Sequence, residues 1–470
     1  MKGLTTWLRD ALRAAILDGR LASGARLPAT RTLAAELGVS RGVVVEAYQR
    51  LADEGLVGAR TGAGTVVTPP IPAAPTGTDV RQAAGVLRMP LPAPPGVEFD
   101  LSPGVPDLSA FPRTAWLRAE RAVLASAGAA DLGYGDPRGS PVLRRELVRW
   151  LARTRGVRAA DGDVVVVGGV AQALALLAQV LRARGVEAAA VEDPGSRGAT
   201  DQLAHWGLRP VGVPVDDEGM RIDDLAGTGL DVVVLTPAHQ FPTGVVLSPR
   251  RRSALLAWAR SGGHRLIVED DYDAEHRYDR APVPAVQASA PDRVAYTGST
   301  SKSLAPGMRL GWLIAPQRLR DDLIAAKHAS DLGNPALPQL VVAHLLAGGE
   351  YERHLRTVRR RQRQRRDALL AGLREHLPGA HVAGVAAGLH LVITLPHLAI
   401  DDTELSRRIA AAGVFVHPLS WHRHRPGPPG LVVGYAAHAP DRLREAGRRI
   451  ARTIGAVGNC ERRGRTPPLR

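Results

Sequence analysis

Thr297-Gly298-Ser299-Thr300-Ser301-Lys302-Ser303-Leu304-Ala305-Pro306-Gly307-Met308-Arg309 sets one amine behind a run of hydroxyls and ahead of a guanidinium. An amine can condense with an aldehyde to a Schiff base, while Ser299, Ser301 and Arg309 offer donors to a phosphate dianion, the arginine as a bidentate fork. The stretch has the equipment to hold an aldehyde that carries a phosphate.

Upstream, Leu266-Ile267-Val268 reads as an apolar strand that runs into Glu269-Asp270-Asp271-Tyr272. That puts carboxylates at the C-terminal edge of a strand, where open α/β sheets bind ligands. A carboxylate facing a pyridine nitrogen keeps it protonated and the ring electron-poor, so the ligand that fits both stretches is pyridoxal 5'-phosphate. Strand alternation sends Glu269 and Asp270 to opposite faces, and the residues alone leave open which one meets the ring. Val164-Val165-Val166-Val167-Gly168-Gly169-Val170-Ala171-Gln172 reads as a buried strand, a glycine turn and the start of an Ala/Leu-rich helix, whose first amides can bind an anion. Each stretch alone is a weak signal; in this order they reinforce one another.

Tyr134-Gly135-Asp136-Pro137-Arg138-Gly139, Glu192-Asp193-Pro194-Gly195, Thr236-Pro237-Ala238-His239-Gln240-Phe241-Pro242-Thr243-Gly244, Glu269-Asp270-Asp271-Tyr272 and Ser301-Lys302 follow one another as in fold-type I aminotransferase-like domains. The resemblance covers about residues 98 to 458. With the N-terminal module, the whole chain resembles the MocR-type transcriptional regulators of the GntR superfamily.

In that module Leu8, Leu12, Ile16 and Leu17 fall at helical spacing before Asp18-Gly19. A second helix fits Thr30 to Leu37, stopped at Gly38, and a third starts after Ser40 and runs through Val44, Ala47, Tyr48 and Leu51 to Glu54-Gly55. Two short helices on a tight turn make a helix-turn-helix, and Leu56 to Val67 alternates and turns as a two-stranded wing does. The resemblance implies that Arg31 meets a DNA phosphate and that Ser40, Arg41 and Val43 lie at the groove, with Thr61 and Gly62 as contacts from the wing turn. Gly42-Val43-Val44-Val45 departs from the pattern in lacking polar residues, which leaves base discrimination to Arg41 and to methyl contacts with thymine.

The 470 residues, 45% hydrophobic, suffice for two globular units, and the net charge of +15 suits a polyanionic partner such as double-stranded operator DNA. No apolar run approaches the ~18 residues of a membrane span, and Met1-Lys2-Gly3 leads directly into an amphipathic helix, so the expectation is a cytoplasmic protein without a signal peptide. A single cysteine, Cys460, offers neither an intrachain disulfide nor a metal cluster. The expected organisation is a winged helix-turn-helix at 1–68, a Pro/Ala-rich linker at 69–97, an aminotransferase-like α/β domain with a smaller C-terminal α/β subdomain at 98–458, and a basic tail at 459–470. As flexible coil the linker spans ~30 Å and as polyproline ~90 Å. The basic run Arg356 to Arg366 reads better as a solvated helix of the large domain than as a second DNA surface. Trp421-His422-Arg423-His424-Arg425 reads as a loop on the rim of a ligand site rather than a metal site.

Carried over residue by residue, the resemblance makes Lys302 the Schiff-base lysine, Asp270 the pyridinium partner and Tyr272 a donor to the ring hydroxyl. Ser299, Ser301 and Arg309 become phosphate ligands with the amides around Gly169, Val170 and Ala171. Tyr134 would reach the cofactor of a neighbouring subunit, which implies a homodimer with shared sites. Two departures bear on function. Pro194-Gly195 is followed by Ser196 where related domains carry an aromatic that stacks on the ring, a loss of about 0.5–1.5 kcal/mol. Gly430-Leu431-Val432-Val433-Gly434-Tyr435-Ala436 lacks the arginine that holds a substrate carboxylate, with Arg423 and Arg425 left open as substitutes. The expectation is a regulator whose large domain senses pyridoxal phosphate, an amine or an amino acid, rather than a turnover enzyme; the alternative is an active aminotransferase with an accessory DNA-binding module.

Overall fold

The computed structural model describes residues 2–60, 64–68, 93–273, 275–278, 283–377, 381–384 and 386–464, and the chain divides into two units, Met1–Val86 and Leu87–Arg470. In the first unit, helices Lys2–Leu17, Thr30–Glu36 and Arg41–Asp53 precede an antiparallel hairpin of β1 (Val57–Arg60) and β2 (Gly64–Val67). The helices end at glycines with positive φ, 81° at Gly19, 64° at Gly38 and 71° at Gly55, a conformation that costs glycine nothing and other residues strain. Leu8, Ile16, Ala34, Val44, Ala47, Tyr48 and Leu51 bring the three helices into one core, which Val57 and Val67 close from the hairpin. Leu27 N donates to Thr65 O (2.9 Å) and Val67 N to Ala25 O (2.8 Å), so the wing is fastened to the segment before the second helix. Leu17 is not on the apolar face as its spacing suggested; it is 58% exposed.

The second unit contains β3 (Phe99–Asp100), β4 (Val164–Val167), β5 (Ala188–Asp193), β6 (Arg209–Asp216), β7 (Gly219–Met220), β8 (Val232–Leu235), β9 (Leu266–Asp270), β10 (Val294–Ser299), β11 (Gly311–Ile314), β12 (His381–Ala383), β13 (His390–Thr394), β14 (Val414–Phe415), β15 (His417–Pro418) and β16 (Gly430–Gly434). A mixed sheet runs β4-β11-β10-β9-β8-β5-β6-β7, its central neighbours parallel. Both faces are covered, which is why these strands read as continuous apolar runs. Along β4, Val164 and Val166 join one core while Val165 and Val167 join the other.

The strand that positions the site is β11, antiparallel to both β4 and β10, with Gly311 opposite Val167 on one side and Ser299 on the other. This register brings the glycine turn after β4, the hydroxyls after β10 and Arg309 together. A Cβ at Gly311 would lie 2.7 Å from Gly298 O and 2.9 Å from Gly169 Cα, so only glycine permits the approach.

A smaller sheet, β12-β13-β16-β15, packs its apolar face with residues of helices Glu350–His376, Asp402–Ala411 and Pro440–Gly464. The last helix continues through residue 458, the expected end of the domain, without a break. β3 pairs in parallel with β14, which weaves the first described residues of the large unit into this subdomain. The expectation of a merely solvated Arg356–Arg366 run is corrected. Arg361 Nε is 2.7 Å from Asp107, Arg365 pairs with the same buried carboxylate, and Arg365 Nη1 also donates to Ala436 O (2.8 Å). Two arginines one helical turn apart thus serve as an internal clamp. Among the described residues no helix is long and apolar enough to cross a membrane.

Candidate functional site

The strand β10 ends at Ser299, and the chain turns so that Lys302 lies half-buried with its Nζ 2.6 Å from the carbonyl of Gly104. Burial lowers the amine's pKa from its ordinary value, with Asp273 and Asp270 opposing that shift. Strand β9 separates its two acids as alternation requires. Glu269 turns away and accepts from the amides of Val286 and Gln287, both at 2.9 Å. Asp270 is 8% exposed, and among the described residues its carboxylate has only a long 3.4 Å approach from Thr297 Oγ1. Burial, with Asp271 and Asp273 adding to it, raises the Asp270 carboxyl to about 7. An acid so poorly supplied with donors suits a protonated ring nitrogen as partner.

The anion cradle is built by β11. Gly169 (φ 104°) leads into helix Val170–Ala183, and the guanidinium of Arg309 lies over this turn, its Nη1 3.3 Å from where a Gly169 Cβ would stand. Arg309 itself holds φ 47° and has no carboxylate partner among the described residues. Ser299 Oγ accepts from Ser301 N at 3.3 Å in the same turn. Free helix amides around Gly169, Val170 and Ala171, two hydroxyls and an unpaired guanidinium suit a phosphate.

Tyr272 hydroxyl is 3.0 Å from His239 Nδ1, which is also 2.8 Å from Asp273. His239 and Asp273 were missed as site residues. His239 lay within a quoted motif without a role, and Asp273, three residues past Asp270, carries no signal of its own. Arg155 pairs with Asp271 at 2.7 Å and buries that carboxylate away from the site. Tyr134 is 94% exposed and lines an open cleft of about 510 Å³ with Leu132, Leu332 and Asn334; its own chain leaves the ring uncovered. Ser196, in place of an aromatic, caps helix Arg197–His205 by accepting from Ala199 N at 3.3 Å. Val432 is buried against Val392 and Leu419. Arg423 Nη1 donates to Pro428 O (2.5 Å) and Arg425 Nη2 to Gly212 O (3.3 Å), so both proposed substitutes are engaged by backbone.

On the N-terminal unit, Arg31 is exposed in the first turn of the second helix, and Ser40 and Arg41 are exposed at the start of the third. Ser40 occupies its N-cap position without a side-chain capping bond. Val43 is a correction: only 8% exposed, it packs into the core with Ala47 and Leu51, and the valine on the outer face is Val45, 46% exposed. Thr61 and Gly62 lie outside the described residues.

Residues 98–450 match the family model for aminotransferase class I and II, and residues 4–67 match that for bacterial regulatory proteins of the gntR family. The chain is 33% identical to a probable rhizopine catabolism regulatory protein, MocR, of Rhizobium meliloti, across 93% of this chain and 91% of that protein. It is 32% identical to the pyridoxine biosynthesis transcriptional regulator PdxR of Corynebacterium glutamicum, across 94% of each. Among solved structures, the multiple substrate aminotransferase of Thermococcus profundus superposes with a TM-score of 0.71 at 29% identity, covering 78% of this chain and 93% of that one. The cofactor of this aminotransferase fold is pyridoxal 5'-phosphate, which when bound supplies an aldehyde for amines and a ring that accepts electrons. A winged helix-turn-helix of the gntR type on an aminotransferase class I and II domain, matched over more than nine-tenths of this chain by transcriptional regulators, makes this chain a member of the MocR-type DNA-binding transcriptional regulators of the GntR superfamily.

Proposed function

We propose that this regulator works as a homodimer in the cytoplasm, with Lys302 holding pyridoxal phosphate and an amine effector at that site setting operator affinity. The observation that carries the reading is a site kept for the cofactor but not for amino acid turnover. Lys302, Asp270 and Arg309 support the cofactor, while buried Val432 lies in the strand where related domains carry the carboxylate arginine, which argues against amino acid turnover. In this assignment Asp270 pairs with the ring nitrogen, Tyr272 donates to the ring hydroxyl, and Ser299, Ser301, Arg309 and the amides of Gly169, Val170 and Ala171 hold the phosphate. The exposed Leu132, Tyr134 and Leu332 on one cleft support the dimer, since an apolar patch of that kind marks an interaction surface. The proposed organisation is 1–68 for DNA, 69–97 as linker and 98–458 as sensor.

Ligand and operator can influence each other only through different ligand affinities in two arrangements of the protein, and coupling of about 1–3 kcal/mol changes operator affinity ~5–150-fold. Titrating an operator fragment against cofactor-free protein, cofactor-loaded protein and Lys302→Ala, each with and without candidate amines at one salt concentration, tests this. Identical isotherms throughout would reduce the large unit to a dimerisation scaffold.

The DNA contacts separate in the same assay. Arg31→Ala should weaken operator and random DNA alike, whereas Arg41→Ala should also lower the preference for operator by about 1–3 kcal/mol, if the first meets phosphate and the second a base edge. Equal losses on both DNAs for both variants would mean that neither reads bases.

A further inference from the structure

Three buried imidazoles extend from the Lys302 site toward the loop at Trp421–Arg425, and the cofactor contacts use none of them. His390 opens β13, His417 lies in β15 and His422 ends the turn Leu419–His422, at 0%, 6% and 8% exposure. Phe241 joins them. Its ring centroid is 4.8 Å from His390, 5.1 Å from His422 and 6.0 Å from Tyr272, and His417 stacks on His422 at 5.8 Å with 18° between the planes.

Their hydrogen bonding is incomplete. His390 Nε2 is 2.9 Å from Pro242 O, which can only accept, so the proton is on Nε2 and Nδ1 is a bare acceptor. Among the described residues that Nδ1 has no partner, neither nitrogen of His417 has one, and His422 has only the backbone of Gly195 to satisfy one of its nitrogens. Buried polar atoms in folded proteins are nearly always paired, so a cluster of such atoms marks a place completed by something other than the chain. A metal ion is not the answer, because no three such side chains among the described residues are spaced to hold one.

The rings define what would complete them. Burial lowers His390 and His417 to about 4 and His422 to about 3, so all three are neutral near pH 7. A neutral imidazole has one N–H and one bare nitrogen. With the His422 N–H directed to Gly195, the open positions are three acceptors and one donor, without a charge. A carboxylate, which only accepts, leaves the acceptors unpaired and brings a charge among neutral rings. Hydroxyl groups both donate and accept. The location agrees, because His417 pairs across the sheet with Val432, in the strand that lacks the carboxylate arginine. Arg197, whose charge helps depress His417 and His422, is paired with Asp201 at 3.6 Å.

We infer that His390, His417 and His422 form the effector subsite of the Lys302 site and select an amine with an uncharged, polyhydroxylated tail over α-amino acids. The inference rests on the proposed role of Lys302. Its test is calorimetric titration of the cofactor-loaded full chain with D-glucamine, hexylamine and L-alanine, the visible band of the bound cofactor serving as the check on loading and folding. D-glucamine should bind at least roughly tenfold more tightly than either comparator, the equivalent of two ordinary hydrogen bonds. His417→Phe and His422→Phe should each erase most of that margin by weakening D-glucamine alone, and His417→Asn and His422→Asn should restore part of it. A chain that loads with cofactor yet prefers L-alanine, or binds all three alike, or keeps its D-glucamine margin in the Phe and Asn variants, overturns the subsite and leaves the role of Lys302 standing. A chain that shows no visible band with cofactor overturns both.

Discussion

Lys302→Ala is expected to abolish the visible absorption band that pyridoxal phosphate gives this protein, while circular dichroism shows the fold retained. The band requires a covalent bond to an amine, and the amine that the fold brings within the field of Asp270 and Asp273 is this one. Its burial favours the neutral, nucleophilic form. The fold should survive because, among the described residues, the amine's hydrogen bond is to Gly104 O, and an ordinary bond of that kind contributes about 0.5–1.5 kcal/mol. The Arg309 cradle stays intact in this variant, so weak, colourless cofactor binding is the expected remainder. An undiminished band would locate the amine elsewhere.

Asp270→Ala is the second large effect. It should leave the cofactor bound but loosen it about 100-fold or more, since removing one partner of a buried charge pair costs about 3–5 kcal/mol. Glu269→Gln should disturb folding more than cofactor binding, because Glu269 serves the amides of Val286 and Gln287. The reverse pattern in equilibrium dialysis would reassign the ring partner. A pH signature accompanies this. The Asp270 carboxyl, raised by burial to about 7 from an ordinary 3.8, binds a proton in the folded protein where the unfolded chain has lost it. The folded state then holds more protons between about pH 4 and 7, so its contribution to the stability of the cofactor-free protein falls as pH rises through that window. Glu192, raised by burial to about 7, acts in the same direction. Cofactor loading gives Asp270 a cationic partner and should flatten the decline, more in the wild type than in Asp270→Ala; thermal melts from pH 5 to 8 would measure it.

What the chain revealed in order was legible, and what it assembled across long separations was not. The Lys302 stretch, the β4 glycine turn and the acids after β9 are each continuous segments, so their chemistry could be read locally. Their convergence depends on β11 entering antiparallel between β4 and β10, which no periodicity announces. Glu269 and Asp270 were indistinguishable from their own neighbours, because the amides that claim Glu269 come from Val286 and Gln287. Asp107 between Arg361 and Arg365 is the same case at greater range. Val43 was legible and misread. Val43, Ala47 and Leu51 recur at four-residue spacing, the signature of a buried helix face, and the resemblance to groove-contacting residues was allowed to outweigh it.

The carbonyl of Gly104 puts a ceiling on how loudly Lys302 can speak to the rest of the chain. Gly104 lies in the first described stretch after residues 69–92, between two anchors: Leu101, whose amide is held by Phe415 O at 2.9 Å, and Asp107 in its arginine clamp. Taking the amine away from that carbonyl releases at most one hydrogen bond, about 1.5–3 kcal/mol if the amine is charged and 0.5–1.5 if it is neutral. Through this one contact, occupancy of the amine can bias a downstream equilibrium by about 2- to 150-fold and no further. The movement it permits is slack in a short tether, with both ends of the tether tied.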